Sequence, residues 1–259
     1  MVRKLVLLFV LFLMPVNARA AIQTQVIEYH HGDVQLEGYL AFDDTIQGKR
    51  PGVLVVHDWT GLRDQTKKRT EQLAQLGYTA FAVDMYGKGI RPTDPKECGA
   101  QASIYKGDRP LMRERVKTGL EVLLSQTNVD ASKVAAIGYC FGGTTVLELA
   151  RSGADVKGVV TFHGGLDTPK PEDAKNIKGK VLVLHGADDP YAPKEQVLAL
   201  EEEMRHAGVD YQVHLYGGAV HSFTIPEAGN EPSKGVAYNA SADKRSWEAM
   251  KQFFSEIFQ

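Results

Sequence analysis

The sequence predicts an α/β fold, a doubly wound and mostly parallel sheet with an antiparallel hairpin at its N-terminal edge. Three observations carry this expectation. Short continuous runs of β-branched and aliphatic residues recur along the chain, as strands covered on both faces require. Stretches of helical length lie between most of them, the order that yields parallel strands joined by crossovers. The first two extended segments instead alternate apolar and polar residues about a tight turn, which suits a half-exposed hairpin.

Taken in order, residues 25–30 and 34–42 alternate around His31-Gly32-Asp33 and form the hairpin. Residues 52–56 are the first continuous run, ending at His57-Asp58. Similar runs follow at 80–83, 134–137, 156–161, 181–184 and 211–215. Helices are expected at 64–76, stopped by Gly77, at 109–125, at 141–151, at 194–206, stopped by Gly208, and at 242–258. Around Cys98 the chain reads as a loop or a helix start, with no strand before it. No linker, low-complexity tract or repeat divides residues 21–259, which are read as one domain.

Hydrophobic residues make up 43% of the 259 and charged residues 24%, which argues against disorder and against a multi-span membrane chain. A net charge of −2 offers no electrostatic reason to hold nucleic acid or anionic lipid. The two cysteines, Cys98 and Cys140, exclude a disulfide scaffold and a Cys-rich zinc domain and allow at most one bridge. Residues 1–20 read as a secretory signal: Arg3 and Lys4, an apolar run at 5–14, Pro15, and the cleavage site Ala18-Arg19-Ala20. Cleavage would free Ala21 and place the protein in a periplasm or outside the cell. The apolar run is about half of the ~20 residues that cross a bilayer, so no stable membrane anchor is expected.

Ligands of doubly wound sheets sit beyond the carboxyl ends of the strands. Those positions hold His57, Asp58, Asp84, Cys140, His163, His185, Asp188, Asp189 and His221. Gly138-Tyr139-Cys140-Phe141-Gly142 has the G-x-nucleophile-x-G form between a buried strand and a helix, with cysteine as the nucleophile. Its glycines suit a turn too tight for side chains, and the start of the helix favours an anionic sulfur. Asp189 and then His221 complete the order nucleophile, acid, histidine used by α/β-hydrolases. Asp188 is the rival acid. Asp189 is preferred because it precedes Pro190, which helps fix the loop. His30-His31 is no metal site, because neighbours on a strand face opposite ways and no cluster completes a coordination shell. No metal and no cofactor is expected.

On these residues the chain resembles the dienelactone hydrolase family, cysteine members of the α/β-hydrolase fold, across nearly all of residues 21–259. The matching pieces are 55–62, 83–87, the Gly138–Gly143 elbow, the Asp189 loop and His221-Ser222-Phe223. The resemblance implies a catalytic triad of Cys140, Asp189 and His221, and an oxyanion hole made by the backbone amides of Phe141 and Trp59. Asp58 stands where well understood members carry a glutamate that holds the resting thiol; shorter by a methylene, it plays that part less directly or caps a loop. Those members also grip a substrate carboxylate with an arginine shortly after H-S-F, where Ile225 stands, and with a second arginine, where Lys88 stands. A less anionic, more apolar substrate is implied, with Lys88 or Arg91 able to compensate. Tyr86, Tyr139 and Trp59 are further candidates for the pocket wall.

The expected activity is therefore hydrolysis of an activated small-molecule ester or lactone through an acyl-thioester. The rival readings are an exported, non-catalytic ligand-binding protein on the same scaffold and a thiol-redox protein, although the latter lacks a C-x-x-C pair. The sequence does not specify the oligomeric state.

Overall fold

The computed structural model describes residues 22–259, and the expected leader at 1–20 lies outside the described residues. The strands are β1 (Ile22–His31), β2 (Val34–Asp43), β3 (Arg50–Val56), β4 (Thr79–Val83), β5 (Val129–Tyr139), β6 (Gly158–Phe162), β7 (Lys180–Gly186) and β8 (Tyr211–Tyr216). They form one eight-stranded sheet in the order β1-β2-β4-β3-β5-β6-β7-β8. The β1-β2 and β2-β4 pairs are antiparallel. All the remaining pairs are parallel. The expected mostly parallel α/β sheet with an antiparallel edge hairpin is therefore the fold.

Helices α1 (Asp64–Gln75), α2 (Pro95–Gly107), α3 (Arg109–Leu124), α4 (Phe141–Arg151), α5 (Lys194–Ala207) and α6 (Ala240–Ile257) accompany the sheet. Strand residues alternate between two cores. Leu54, Val56, Phe81, Val83, Val181 and Val183 pack with residues of α3, α4 and α5. Val53, Val55, Ala80, Ala82, Leu182 and Leu184 pack with Leu73 of α1 and with Met250, Phe253 and Phe254 of α6. This two-sided burial explains why the central strands read as unbroken apolar runs.

Of the two readings around Cys98, a loop or a helix start, the structure has the helix start: Cys98 lies in the first turn of α2, a helix of thirteen residues. Asp94 caps it by accepting from the amides of Lys96 and Glu97, and Pro95 occupies its first turn, where a missing N–H costs nothing. Gly99, small residues and the lack of a continuous apolar stripe hide it from periodicity. Asp108 closes α2 and also caps α3 through the Leu111 amide at 3.0 Å.

Arg151 is fully buried and ties α4 to α5 through two 2.7 Å contacts with Glu203. It also meets Glu148 at 3.0 Å, and Glu148 in turn pairs with Arg113 of α3 at 2.8 Å. Charges buried this way survive only when paired. The network fixes the helix whose first residue follows Cys140. Among the described residues, no helix is long and apolar enough to cross a membrane.

Candidate active site

Cys140 sits between the end of β5 and the start of α4 with φ 52° and ψ −112°. A non-glycine residue adopts positive φ only where the surroundings impose it. Here the imposition is close backbone packing. A Cβ on Gly138 would lie 2.0 Å from the Gly142 carbonyl oxygen, and one on Gly142 would lie 2.3 Å from that of Val56. A Cβ on Gly143 would meet Thr161 Oγ1 at 2.3 Å. The glycines of the motif let α4 dock onto β3 and β6, and that docking holds Cys140 outward. The Phe141 and Trp59 amides have no hydrogen-bond acceptor among the described residues, and both residues flank Cys140 in one cavity. Unpaired amides beside a nucleophile are the kind of donors an oxyanion needs.

His221, in the loop after β8, lies with Nε2 3.0 Å from Cys140 Sγ. Its Nδ1 lies 2.8 Å from Asp189 Oδ2, in the loop after β7. The other Asp189 oxygen accepts from the amides of Tyr191 at 2.8 Å and Ala192 at 3.2 Å. Asp188 is turned away, accepting from the Gly218 amide at 2.9 Å. The structure thus brings Cys140, His221 and Asp189 into one relay and leaves Asp188 to brace a turn.

Burial disfavours a charged imidazole at His221, but the neighbouring Cys140 sulfur and the Asp189 carboxylate outweigh it and push the pKa up to about 10. Removing the carboxylate removes one of the raising causes. The Asp189→Asn protein is therefore expected to titrate His221 at lower pH than wild type, as followed by NMR of the imidazole ring. An unchanged titration would sever the two residues.

Three further histidines at strand ends serve the frame. His57 is buried and accepts from the Met85 amide at 3.2 Å through Nε2, so Nδ1 carries the proton donated to the Asp58 carbonyl at 2.6 Å. His185 Nε2 contacts the Ala192 carbonyl at 2.8 Å, which tightens the Asp189 loop. His163 Nε2 meets Thr224 Oγ1 at 2.8 Å, and its ring stands edge-on to His221 at 5.4 Å. Burial lowers the pKa of all three. Among the described residues, no group of three or more His, Cys, Asp or Glu side chains could hold a metal ion.

The cavity over Cys140 has a volume of about 310 Å³. Trp59, Phe141, Tyr191 and His221 form part of its wall, and α2 supplies Gly99, Ala102, Ser103 and Lys106. Four residues expected at the substrate do not reach this wall. Asp58 Oδ1 accepts from the Thr60 amide at 2.7 Å and its hydroxyl at 2.6 Å, so the carboxylate closes its own loop. Tyr86 is buried beneath the site, packed on His57 and Phe141, and donates its hydroxyl to the Trp59 carbonyl at 3.1 Å. Lys88 lies at the surface in an ion pair with Glu28 at 2.5 Å. Tyr139 precedes Cys140 and therefore faces the other side of the sheet, stacked on Phe162 at 4.8 Å. Arg91 is also committed, to the carbonyls of Leu62 at 2.6 Å and Gly87 at 3.0 Å. Among the wall residues that sequence reasoning missed, Tyr191, Ala192 and Val236 come from loops with no local signal, whereas the 99, 102, 103 and 106 spacing on α2 could have marked those four as one helix face.

The family model described as the dienelactone hydrolase family matches residues 36–258. The solved structure named m3DLH is 44% identical with a TM-score of 0.89, covering 92% of this chain and all of its own. A crystal structure of a dienelactone hydrolase-like promiscuous phosphotriesterase from metagenomic libraries is also 44% identical, with a TM-score of 0.87 and the same coverage of both chains. From Mus musculus, a carboxymethylenebutenolidase homolog is 26% identical over 196 residues, 74% of this chain and 78% of its own.

Proposed function

Because the chain belongs to the dienelactone hydrolase family and is thereby an ester or lactone hydrolase, we propose that Cys140, His221 and Asp189 cleave activated esters or lactones through an acyl-thioester. The reading rests above all on the 3.0 Å and 2.8 Å relay from a cysteine held at positive φ. His221 takes the Cys140 proton and the sulfur attacks the substrate carbonyl. The amides of Phe141 and Trp59 receive the developing oxyanion. Collapse of that intermediate expels the substrate oxygen, which takes the proton from His221, and leaves the acyl group on Cys140. His221 then deprotonates a water that attacks the thioester, and the thiolate departs. Asp189 keeps the imidazole in the working tautomer and supports its charge.

The similarity to the promiscuous phosphotriesterase supports aryl phosphotriesters as secondary substrates of the same sulfur. The leader at 1–20 supports export to a periplasm or beyond, with a mature chain starting at Ala21. Intact-mass and peptide analysis of protein from its producing cells, quenched during turnover of an aryl acetate, reads both points. The expected result is a chain beginning at Ala21 with one acetyl group on the Cys140 peptide. Turnover with the acyl group elsewhere would overturn the mechanism, and a chain retaining residues 1–20 would overturn the export reading.

A further inference from the structure

The peptide units on either side of Trp59 are held at every polar group but one. The Asp58 carbonyl accepts from His57 Nδ1–H at 2.6 Å and from the Gly61 amide at 3.3 Å. The Trp59 carbonyl accepts from the Tyr86 hydroxyl at 3.1 Å, and the Thr60 amide donates to Asp58 Oδ1 at 2.7 Å. The Trp59 amide alone is left without an acceptor among the described residues. In a trans peptide the N–H points opposite to the carbonyl of the same unit. Whatever fixes the Asp58 carbonyl therefore aims the Trp59 amide.

His57 is placed to do this in one way only. Its ring is fully buried, with Tyr86 edge-on at 4.8 Å and Phe141 stacked at 5.9 Å. Nε2 accepts at 3.2 Å from the Met85 amide, just past the end of the neighbouring strand β4. A ring nitrogen that accepts carries no proton, so the one N–H of the neutral imidazole is on Nδ1 and goes to the Asp58 carbonyl. Burial lowers the pKa of the ring and keeps it neutral. The strand neighbour thus sets the tautomer, and the tautomer sets the peptide plane. The same ring lies against Phe141, whose amide is the other unpaired donor. A Cβ on Gly142 would stand 2.6 Å from the His57 carbonyl oxygen, so segment 57–59 and the turn at Cys140 are locked against each other.

We propose that His57 is a positioning residue for the oxyanion hole: its Nδ1–H holds the peptide between Asp58 and Trp59 in the orientation that presents the Trp59 amide to the substrate oxygen. The inference rests on the hydrolase reading above. It adds to that reading a residue that belongs neither to the cavity wall nor to the relay of Cys140, His221 and Asp189.

The test separates the two ring nitrogens. In His57→Asn the side-chain amide nitrogen takes the place of Nδ1 as donor to Asp58. In His57→Gln the amide oxygen takes the place of Nε2 as acceptor from Met85, and the donor to Asp58 is lost. Each is assayed on 4-nitrophenyl acetate beside the rate at which iodoacetamide alkylates Cys140, a displacement that needs the thiolate but forms no oxyanion. His57→Gln is expected to lose about 30-fold in kcat, the scale of one misplaced oxyanion donor, while its alkylation rate stays within about twofold of wild type. Acylation and deacylation both pass through an oxyanion, so kcat falls whichever step limits it. His57→Asn is expected to recover most of the loss. Wild-type kcat in His57→Gln, a His57→Asn no faster than His57→Gln, or alkylation that falls in step with hydrolysis would overturn the proposal while leaving the hydrolase intact. Should neither variant fold, nitrogen NMR of the wild-type imidazoles decides: His57 is expected to be neutral with its proton on Nδ1 across the pH range of activity, and a proton on Nε2 would overturn the proposal. A wild type that does not hydrolyse 4-nitrophenyl acetate would overturn the hydrolase reading and this one with it.

Discussion

Replacing Cys140 with alanine will lower kcat/KM toward an aryl ester by about 10⁴-fold or more, the scale seen when a nucleophile acting as part of a unit is removed. The fold will hardly notice. The side chain at this position is only partly buried, and alanine meets the same positive φ penalty as cysteine, so Tm should stay within a few degrees. What disappears is the atom 3.0 Å from His221 Nε2, and no other group in the cavity replaces it. Cys98 cannot do so: it is buried, with its thiol 3.3 Å from the Pro92 carbonyl. Residual hydrolysis near the wild-type rate, in a protein of unchanged Tm, would mean that another residue carries the chemistry.

Aryl and enol esters will be hydrolysed on the order of 10³-fold faster than an ethyl ester of the same acid, because the first intermediate must choose which bond to break. A thiol has a pKa of ~8.5 and a phenol ~10, so their anions leave at comparable ease. A plain alkoxide, basic like hydroxide, whose parent water has a pKa of ~15.7, is far worse, and the intermediate returns to starting ester instead. The His221 proton narrows the gap without closing it. The comparison is made at matched acyl groups, in the wild type, under conditions where uncatalysed hydrolysis is subtracted. Equal kcat/KM for the two classes would contradict a thiolate mechanism and point to attack by water.

The fold was legible because burial on both faces writes itself into composition: residues 52–56 and 181–184 are unbroken apolar runs since each side chain enters one core or the other. The glycine-flanked Cys140 was legible for a similar reason, as only glycine fits where α4 touches β3 and β6. Helix α2 was not. Ala102 and Tyr105 of its buried side enter the core, but Gly99 and Ser103 line the cavity beside them, so no continuous apolar stripe marks its length. Tyr139, Tyr86 and Lys88 were misplaced, and of the two readings of Asp58 only the loop cap held, because nearness in sequence to the site says nothing about which way a side chain turns. Tyr139 goes to the opposite face, Lys88 follows the chain out to Glu28, and Asp58 turns back on Thr60.

The division of labour between α2 and the sheet has a consequence for how such an enzyme changes over generations. The turn at Cys140 depends on backbone contacts too close to alter, whereas part of the cavity wall is made of small side chains along one helix that contributes no group to the relay. Exchanging Gly99, Ala102 or Ser103 for larger residues would narrow the cavity without touching the relay. The wall can thus drift from one descendant to the next while the relay stays fixed.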